Sequence, residues 1–150
     1  MKAAYLQFAP SYLEPEANRE AVTQLLDGVE ADLVVLPELF TSGYFFRSRE
    51  DLAEVAETIP DGPTTSFLYD LAEDSGATIV AGLAEREGDS FFNSAVLVSP
   101  EGELSVYRKV HLFYEETELF SPGDTGLQVF DMTTRDGTPY RLGIMVCFDW

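Results

Sequence analysis

Short apolar runs alternate along this chain with stretches in which apolar residues recur every three or four positions, a pattern that predicts strands and helices in turn. Lys2 to Ala9 reads as a first strand, stopped by Pro10. With Asn18 as its cap, a helix then carries Ala21, Val22, Leu25, Leu26 and Val29 on one face, and Ala31-Asp32 leads into the strand Leu33-Val34-Val35-Leu36. Such a β-α-β unit sets parallel strands side by side and brings their carboxyl ends to one edge of a sheet, where sites form. Beyond Glu38, a loop containing Gly43 leads to a short amphipathic helix with Leu52, Val55 and Ala56 on one side, ended by Pro60-Asp61-Gly62-Pro63. A second helix from about Thr64 has Phe67, Leu68, Leu71 and Ala72 as its buried stripe and Gly76 as its stop.

From there hairpins replace crossovers. Thr78 to Leu83 is a strand, joined by the turn Glu87-Gly88-Asp89 to Phe91 to Ser99, and that run is joined by Pro100-Glu101-Gly102-Glu103 to Leu104 to Arg108. Leu127 to Met132 and Tyr140 to Val146 flank an Asp136-Gly137 turn and form a last hairpin. Parallel and antiparallel pairings together predict an α/β fold with a mixed sheet. The chain has no repeats, low-complexity tract or linker.

Composition narrows the partners. A chain of 150 residues with 45% hydrophobic and 13% aromatic content suits one domain with a buried core. The formal charge of -18 arises from 27 acidic against 9 basic residues, and Lys2 and Lys109 are the only lysines. Phosphate contact requires basic surface, so nucleic acid is not the expected partner. An acidic surface of this kind is self-repelling at low salt and suits a salt-loving host, although an ordinary acidic enzyme has the same composition. A single cysteine allows no internal disulfide, and the start Met1-Lys2-Ala3-Ala4-Tyr5 shows no signal peptide or membrane-length apolar segment. A cytoplasmic protein without membrane contact is expected.

That cysteine, Cys147, stands at the end of the apolar run Gly143-Ile144-Met145-Val146. Two earlier strand ends deliver ionisable residues: Leu33 to Pro37 leads to Glu38, and Leu104 to Arg108 leads to Lys109. Taken singly, each has a plain explanation as a small buried hydrophobe, a solvated loop carboxylate or a surface charge. Three strands ending in reactive groups suggest one shared site.

The blocks Leu36-Pro37-Glu38-Leu39-Phe40, Tyr107-Arg108-Lys109-Val110-His111-Leu112-Phe113 and Met145-Val146-Cys147-Phe148-Asp149-Trp150 resemble, in order, the three signature segments of the nitrilase superfamily of carbon–nitrogen hydrolases. Thr41-Ser42-Gly43-Tyr44, Phe92-Asn93-Ser94-Ala95 and Ser121-Pro122-Gly123-Asp124 extend the similarity over nearly the whole chain. Family members are typically much longer, so the resemblance implies an N-terminal portion of a four-layer α-β-β-α sandwich, with the second sheet partly or wholly missing, and residues 1–150 as part of one hydrolase domain. It further implies dimers or higher homo-oligomers through sheet stacking, and a 150-residue piece that is inactive alone.

The chemistry expected of these residues is covalent. A thiol is mostly protonated near neutral pH and needs a neighbouring base or positive charge. Glu38 serves as general base, Cys147 as nucleophile, and Lys109 with the backbone N–H of Phe148 as stabiliser of the oxyanion. The resemblance assigns the same roles and implies that Glu116 orients the lysine and helps position the substrate, although Glu115 and Glu118 carry the same chemistry nearby. Tyr44 resembles a pocket-lining aromatic residue, though a core tyrosine would read the same way. His111 offers a Cys–His dyad, which the family block argues against because its histidine is not the base. One Cys and one His lack the ligands for a structural zinc, so no metal and no cofactor is expected. Asn93-Ser94 reads as a fixer of strand geometry, and Asp149 as the holder of the loop after the nucleophile. The expected substrate is a small aliphatic amide, with nitriles and N-carbamoyl compounds as neighbouring possibilities. The rival from another class is a catalytically silent binding or assembly subunit.

Overall fold

In the computed structural model, which describes residues 1–150, β1 (Ala3–Tyr5) and β2 (Leu33–Val35) pair in parallel and are linked by helix α1 (Pro15–Leu26). Helices α2 (Arg49–Val55) and α3 (Pro63–Ser75) follow, and β3 (Thr78–Glu87) then pairs in parallel with β2. The antiparallel strands β4 (Ser90–Val98) and β5 (Leu104–Arg108) complete a mixed sheet of order β1-β2-β3-β4-β5. Since β5 runs antiparallel to β4, and β4 to β3, β5 is parallel to β2. The carboxyl ends of β2 and β5 therefore lie at the same edge, and these are the ends that carry Glu38 and Lys109. A short helix, α4 (Glu116–Leu119), leads to a separate hairpin of β6 (Val129–Thr133) and β7 (Pro139–Gly143).

Alternation along the strands sorts their side chains to two faces. On one face Val34, Ile79, Ala81, Val96 and Val98 pack with Val22 of α1 and with Leu68 and Ala72 of α3. On the other, Leu33, Val80, Ala95, Leu97 and Tyr107 pack with Ile144 and Val146, and with Phe130, Met132 and Leu142 of the hairpin. Helices, sheet and hairpin thus form successive layers of an α/β fold, with the two-stranded β6-β7 sheet against the second face of the mixed sheet. A third cluster, including Leu39, Phe46, Leu52, Ala84, Phe91 and Phe120, fills the end of the sheet beneath the loops.

Several elements differ from the sequence reading. The first strand is limited to Ala3–Tyr5, and β3 continues four residues past Leu83, to Glu87. Asn18 does not cap α1. Pro15 starts that helix, where its missing N–H is harmless. Asn18 is instead buried, accepting from Ser11 N at 2.7 Å and donating to Thr41 O at 2.7 Å, so it ties the helix to the loop beyond Glu38. Leu25 and Val29, expected on the buried face, are exposed. The last strand ends at Gly143, not Val146: Ile144 to Val146 keeps the in–out alternation, with Met145 outward, but has no ladder partner. No helix is long and apolar enough to cross a membrane.

Candidate active site

Glu38 is delivered by a backbone that leaves β2 yet stays against β3. Leu36 N donates to Val80 O at 2.8 Å, and Phe40 N to Gly82 O at 2.9 Å. This close approach is why residue 82 is glycine: a Cβ there would lie 2.7 Å from Glu38 Cα and 2.9 Å from Leu39 N. The turn also requires Leu39 to adopt a left-handed φ of 51°, a conformation that leucine rarely takes outside over-determined sites.

Lys109 follows β5 directly. Its backbone is held on both sides, by Lys109 N donating to Asn93 O at 2.9 Å and by Gly123 N donating to Lys109 O at 2.9 Å. The lysine side chain is fully buried and its Nζ donates to Glu38 Oε1 at 2.8 Å and to both oxygens of Glu116 at 2.9 Å. Burial pushes the ammonium toward its neutral form, but the hydrogen bonds from Lys109 to Glu116 and Glu38, and the charges of those carboxylates, outweigh it and raise the lysine above its ordinary value. Lys109 is therefore a fixed cation at neutral pH and cannot serve as the base. Glu116, at the start of α4, accepts a further bond from Phe113 N at 2.6 Å. Glu115 is exposed and Glu118 likewise, so of the three candidates only Glu116 reaches the lysine.

The sequence reading did not place Asn93 in this cluster. Its Nδ2 donates to Glu38 Oε1 at 2.7 Å and to Glu116 Oε1 at 2.8 Å, whereas its Oδ1 is buried without a partner. An amide in the middle of a strand rich in Phe, Val and Leu could have signalled this, because a buried amide must find partners. Its neighbour Ser94 points to a different network, donating to Glu85 Oε2 at 2.5 Å beside Arg108.

Cys147 begins a 3₁₀ turn (Cys147–Asp149) and also has a left-handed φ, 46°. Asp149 holds that turn. Its Oδ2 accepts from Val146 N at 2.9 Å and from the Tyr107 hydroxyl at 2.6 Å, and its Oδ1 accepts from His111 N at 2.9 Å. Burial pushes the Asp149 carboxyl up, but the bonds from Tyr107, Val146 and His111 outweigh this and hold it below its ordinary range. One buried carboxylate thus fastens the cysteine turn to the segment that carries Lys109. The His111 ring is exposed, and its Nδ1 is engaged by Asp149 Oδ1 at 3.1 Å.

Cys147 and Glu38 line one cavity of ≈ 190 Å³ together with Gly82, Ala95 and Val146. Burial pushes the thiol up, the Glu38 charge adds to that, and Lys109 and the Phe148 N–H pull the other way; the thiol ends above its ordinary value. Burial first, and then the net negative charge of two carboxylates around one ammonium, disfavour a resting thiolate. A second cavity, of ≈ 250 Å³, is lined by Tyr44, Phe45, Phe113, Tyr114 and Glu116 among others. Burial, followed by the charge of Glu116, pushes the Tyr44 phenol up to about 12. The Phe148 ring is exposed and lies 5.1 Å from that of Phe113. No group of three His, Cys, Asp or Glu side chains is placed to hold a metal ion, and the space between Glu38 and Glu116 is filled by the lysine ammonium.

Residues 2–150 match the model of the carbon–nitrogen hydrolase family. A protein of Pyrococcus abyssi named nitrilase is 48% identical over 153 residues, which cover 100% of this chain and 56% of that protein. An (R)-stereoselective amidase of a Pseudomonas species is 38% identical over 120 residues, covering 80% of this chain and 40% of its own. Among solved structures, a CN-hydrolase superfamily protein of Xanthomonas campestris with an arsenic adduct in its active site is similar at a TM-score of 0.81 and 30% identity, over 96% of this chain and 52% of that one. The chain spans about half the length of the curated relatives it matches.

Proposed function

Since this chain belongs to the carbon–nitrogen hydrolase family, we propose that the whole protein cleaves the non-peptide carbon–nitrogen bond of a small amide, giving carboxylic acid and ammonia through a thioester at Cys147. The observation that carries the reading is the buried lysine bonded to two carboxylates, one of which shares a cavity with the only thiol. As the Cys147 sulfur attacks the carbonyl carbon, its proton passes to Glu38. Lys109 and the Phe148 N–H stabilise the oxyanion, a contribution of about 10²–10³ in rate for one fixed donor. Glu38 then gives the proton to the departing nitrogen and ammonia leaves. Water, losing a proton to Glu38, adds to the thioester; the acid departs, and the sulfur recovers its proton. No cofactor or metal takes part.

Glu116 orients Lys109 in this scheme, and Tyr44 lines the substrate pocket. Nitriles are a second substrate class, favoured by the name of the Pyrococcus relative; they need one further water to reach the same thioester. N-carbamoyl compounds present the same kind of bond. We further propose a cytoplasmic homo-oligomer whose acidic composition, a formal charge of -18, suits high salt. Rapid quenching of the full-length protein with a small amide tests the chemistry. Mass spectrometry should find an acyl adduct on Cys147, ammonia should appear in solution, and Cys147→Ala should show neither. Ammonia release by Cys147→Ala would overturn the mechanism, and no release from any amide, nitrile or N-carbamoyl compound would favour a silent assembly subunit.

A further inference from the structure

The aromatic cavity of ≈ 250 Å³ lies beside the reacting groups, and three of its walls connect to them. Glu116 binds Lys109 directly, Tyr44 lines the cavity together with Glu116, and Phe113 packs against the ring of Phe148, the residue after Cys147. We infer that this cavity receives the acyl arm of the substrate, and that the arm is uncharged, apolar and about the size of a phenyl group or a six-carbon chain. The inference rests on the amide hydrolysis proposed above.

Size, polarity and charge support it separately. A dry apolar cavity of about 150 Å³ is enough for benzene, so this one has room for a phenyl ring and a short link to the reacting carbonyl. Seven of its nine lining residues are hydrophobic. The other two are Glu115 and Glu116, so no lysine or arginine waits there for a carboxylate arm. Such an arm would give up its hydration and approach the exposed Glu115 carboxylate on a chain that already carries a charge of -18. A cationic arm gains little in the interior, because the Glu116 charge is already paired with Lys109, and only the exposed Glu115 remains free.

The test uses the full-length protein and amides that differ only in the arm: acetamide, phenylacetamide, the anion glutaramate and the cation 6-aminohexanamide. Phenylacetamide should have a kcat/KM at least about tenfold above the others, the discrimination typical of a filled apolar pocket. Leu119→Trp, which fills the cavity, should lower the ratio of phenylacetamide to acetamide kcat/KM at least about tenfold. Phe45 is mostly exposed, so Phe45→Ala spares the fold and should shift the preference in the same direction. A preference for glutaramate or 6-aminohexanamide would overturn the inference, as would variants that slow acetamide and phenylacetamide equally, the result expected if the aromatic patch instead packs against polypeptide. These failures would leave an acetyl adduct on Cys147. Absence of an adduct with every amide would overturn the hydrolase reading itself.

Discussion

The Asn93 amide donates to Glu38 Oε1 at 2.7 Å although its own Oδ1 is buried without a partner. An orphaned buried oxygen costs about 1–3 kcal/mol, so the residue is retained against its own stability cost. What the amide achieves is geometric: the same nitrogen reaches Glu116 Oε1 at 2.8 Å, so one neutral donor sits between two carboxylates that would otherwise repel. Asn93→Ala should therefore lower kcat on the order of 10²-fold, as about 1 Å of misplacement can do, with a smaller change in KM. Steady-state kinetics and a thermal melt check this together. A lower Tm with an unchanged kcat would reduce Asn93 to a structural part.

Gly82 and Glu38 set a second expectation. Because a Cβ at position 82 would meet Glu38 Cα at 2.7 Å, with backbone rather than a flexible side chain in its way, Gly82→Ala must shift the segment that carries the base. Folding should survive, since the rest of β3 stays paired with β4 from Ile79 to Glu87. Turnover should fall on the order of 10²-fold, with thiol alkylation retained. Wild-type rates in Gly82→Ala would show that Glu38 need not stay where it is.

How far the sequence carried this site depended on which elements were periodic. Leu33 to Leu36 and Leu104 to Arg108 are short β-branched or aromatic runs, and so the positions of Glu38 and Lys109 at one sheet edge were legible. Cys147 was harder to place. The apolar run Ile144-Met145-Val146 imitates a buried strand, but the ladder stops at Gly143 and the run reaches the cysteine as unpaired extended backbone. Side chains that act over long sequence separations were also hidden. Asn18 looked like a cap because asparagine commonly is one, whereas its real partners are at Ser11 and Thr41. Asn93 bridges residues 55 and 23 positions away, a relation that no local pattern encodes.

Arg108, next to Lys109, carries the third expectation. Its guanidinium donates to Glu85 at 2.5 and 3.0 Å, to Glu87 and to Asp124, and lies 4.0 Å over the Phe92 ring. The bonds to Glu85 are the largest influence on it and hold it charged, against burial. Glu87 and Asp124 are exposed, so Glu85 is the main buried compensation. Removing one partner of a buried pair typically costs about 3–5 kcal/mol, and Glu85→Ala should lose stability of that order in urea denaturation. A loss below about 1 kcal/mol, the range of surface pairs, would mean that the exposed carboxylates suffice.

The last expectation separates the base from the charges that merely surround the thiol. Burial is the largest influence raising Cys147 and the Glu38 charge comes next, while Lys109 and the Phe148 N–H act in the opposite sense. Glu38→Gln keeps the shape of the side chain and removes its charge. Lys109 would keep its two bonds to Glu116, so the cluster would pass from net negative to neutral. The thiol should then ionise at lower pH than in the wild type, and the midpoint of iodoacetamide alkylation against pH should move down. Turnover should nevertheless fall by about 10²-fold or more, the range a positioned general base supplies, because no group remains to take the proton as sulfur attacks. A thiol made more reactive in an enzyme made slower is the signature of a base that works during the reaction rather than by maintaining a thiolate at rest. If alkylation instead shifts to higher pH in Glu38→Gln, the carboxylate supports the thiolate in the resting enzyme and the proposed order of proton transfers is wrong.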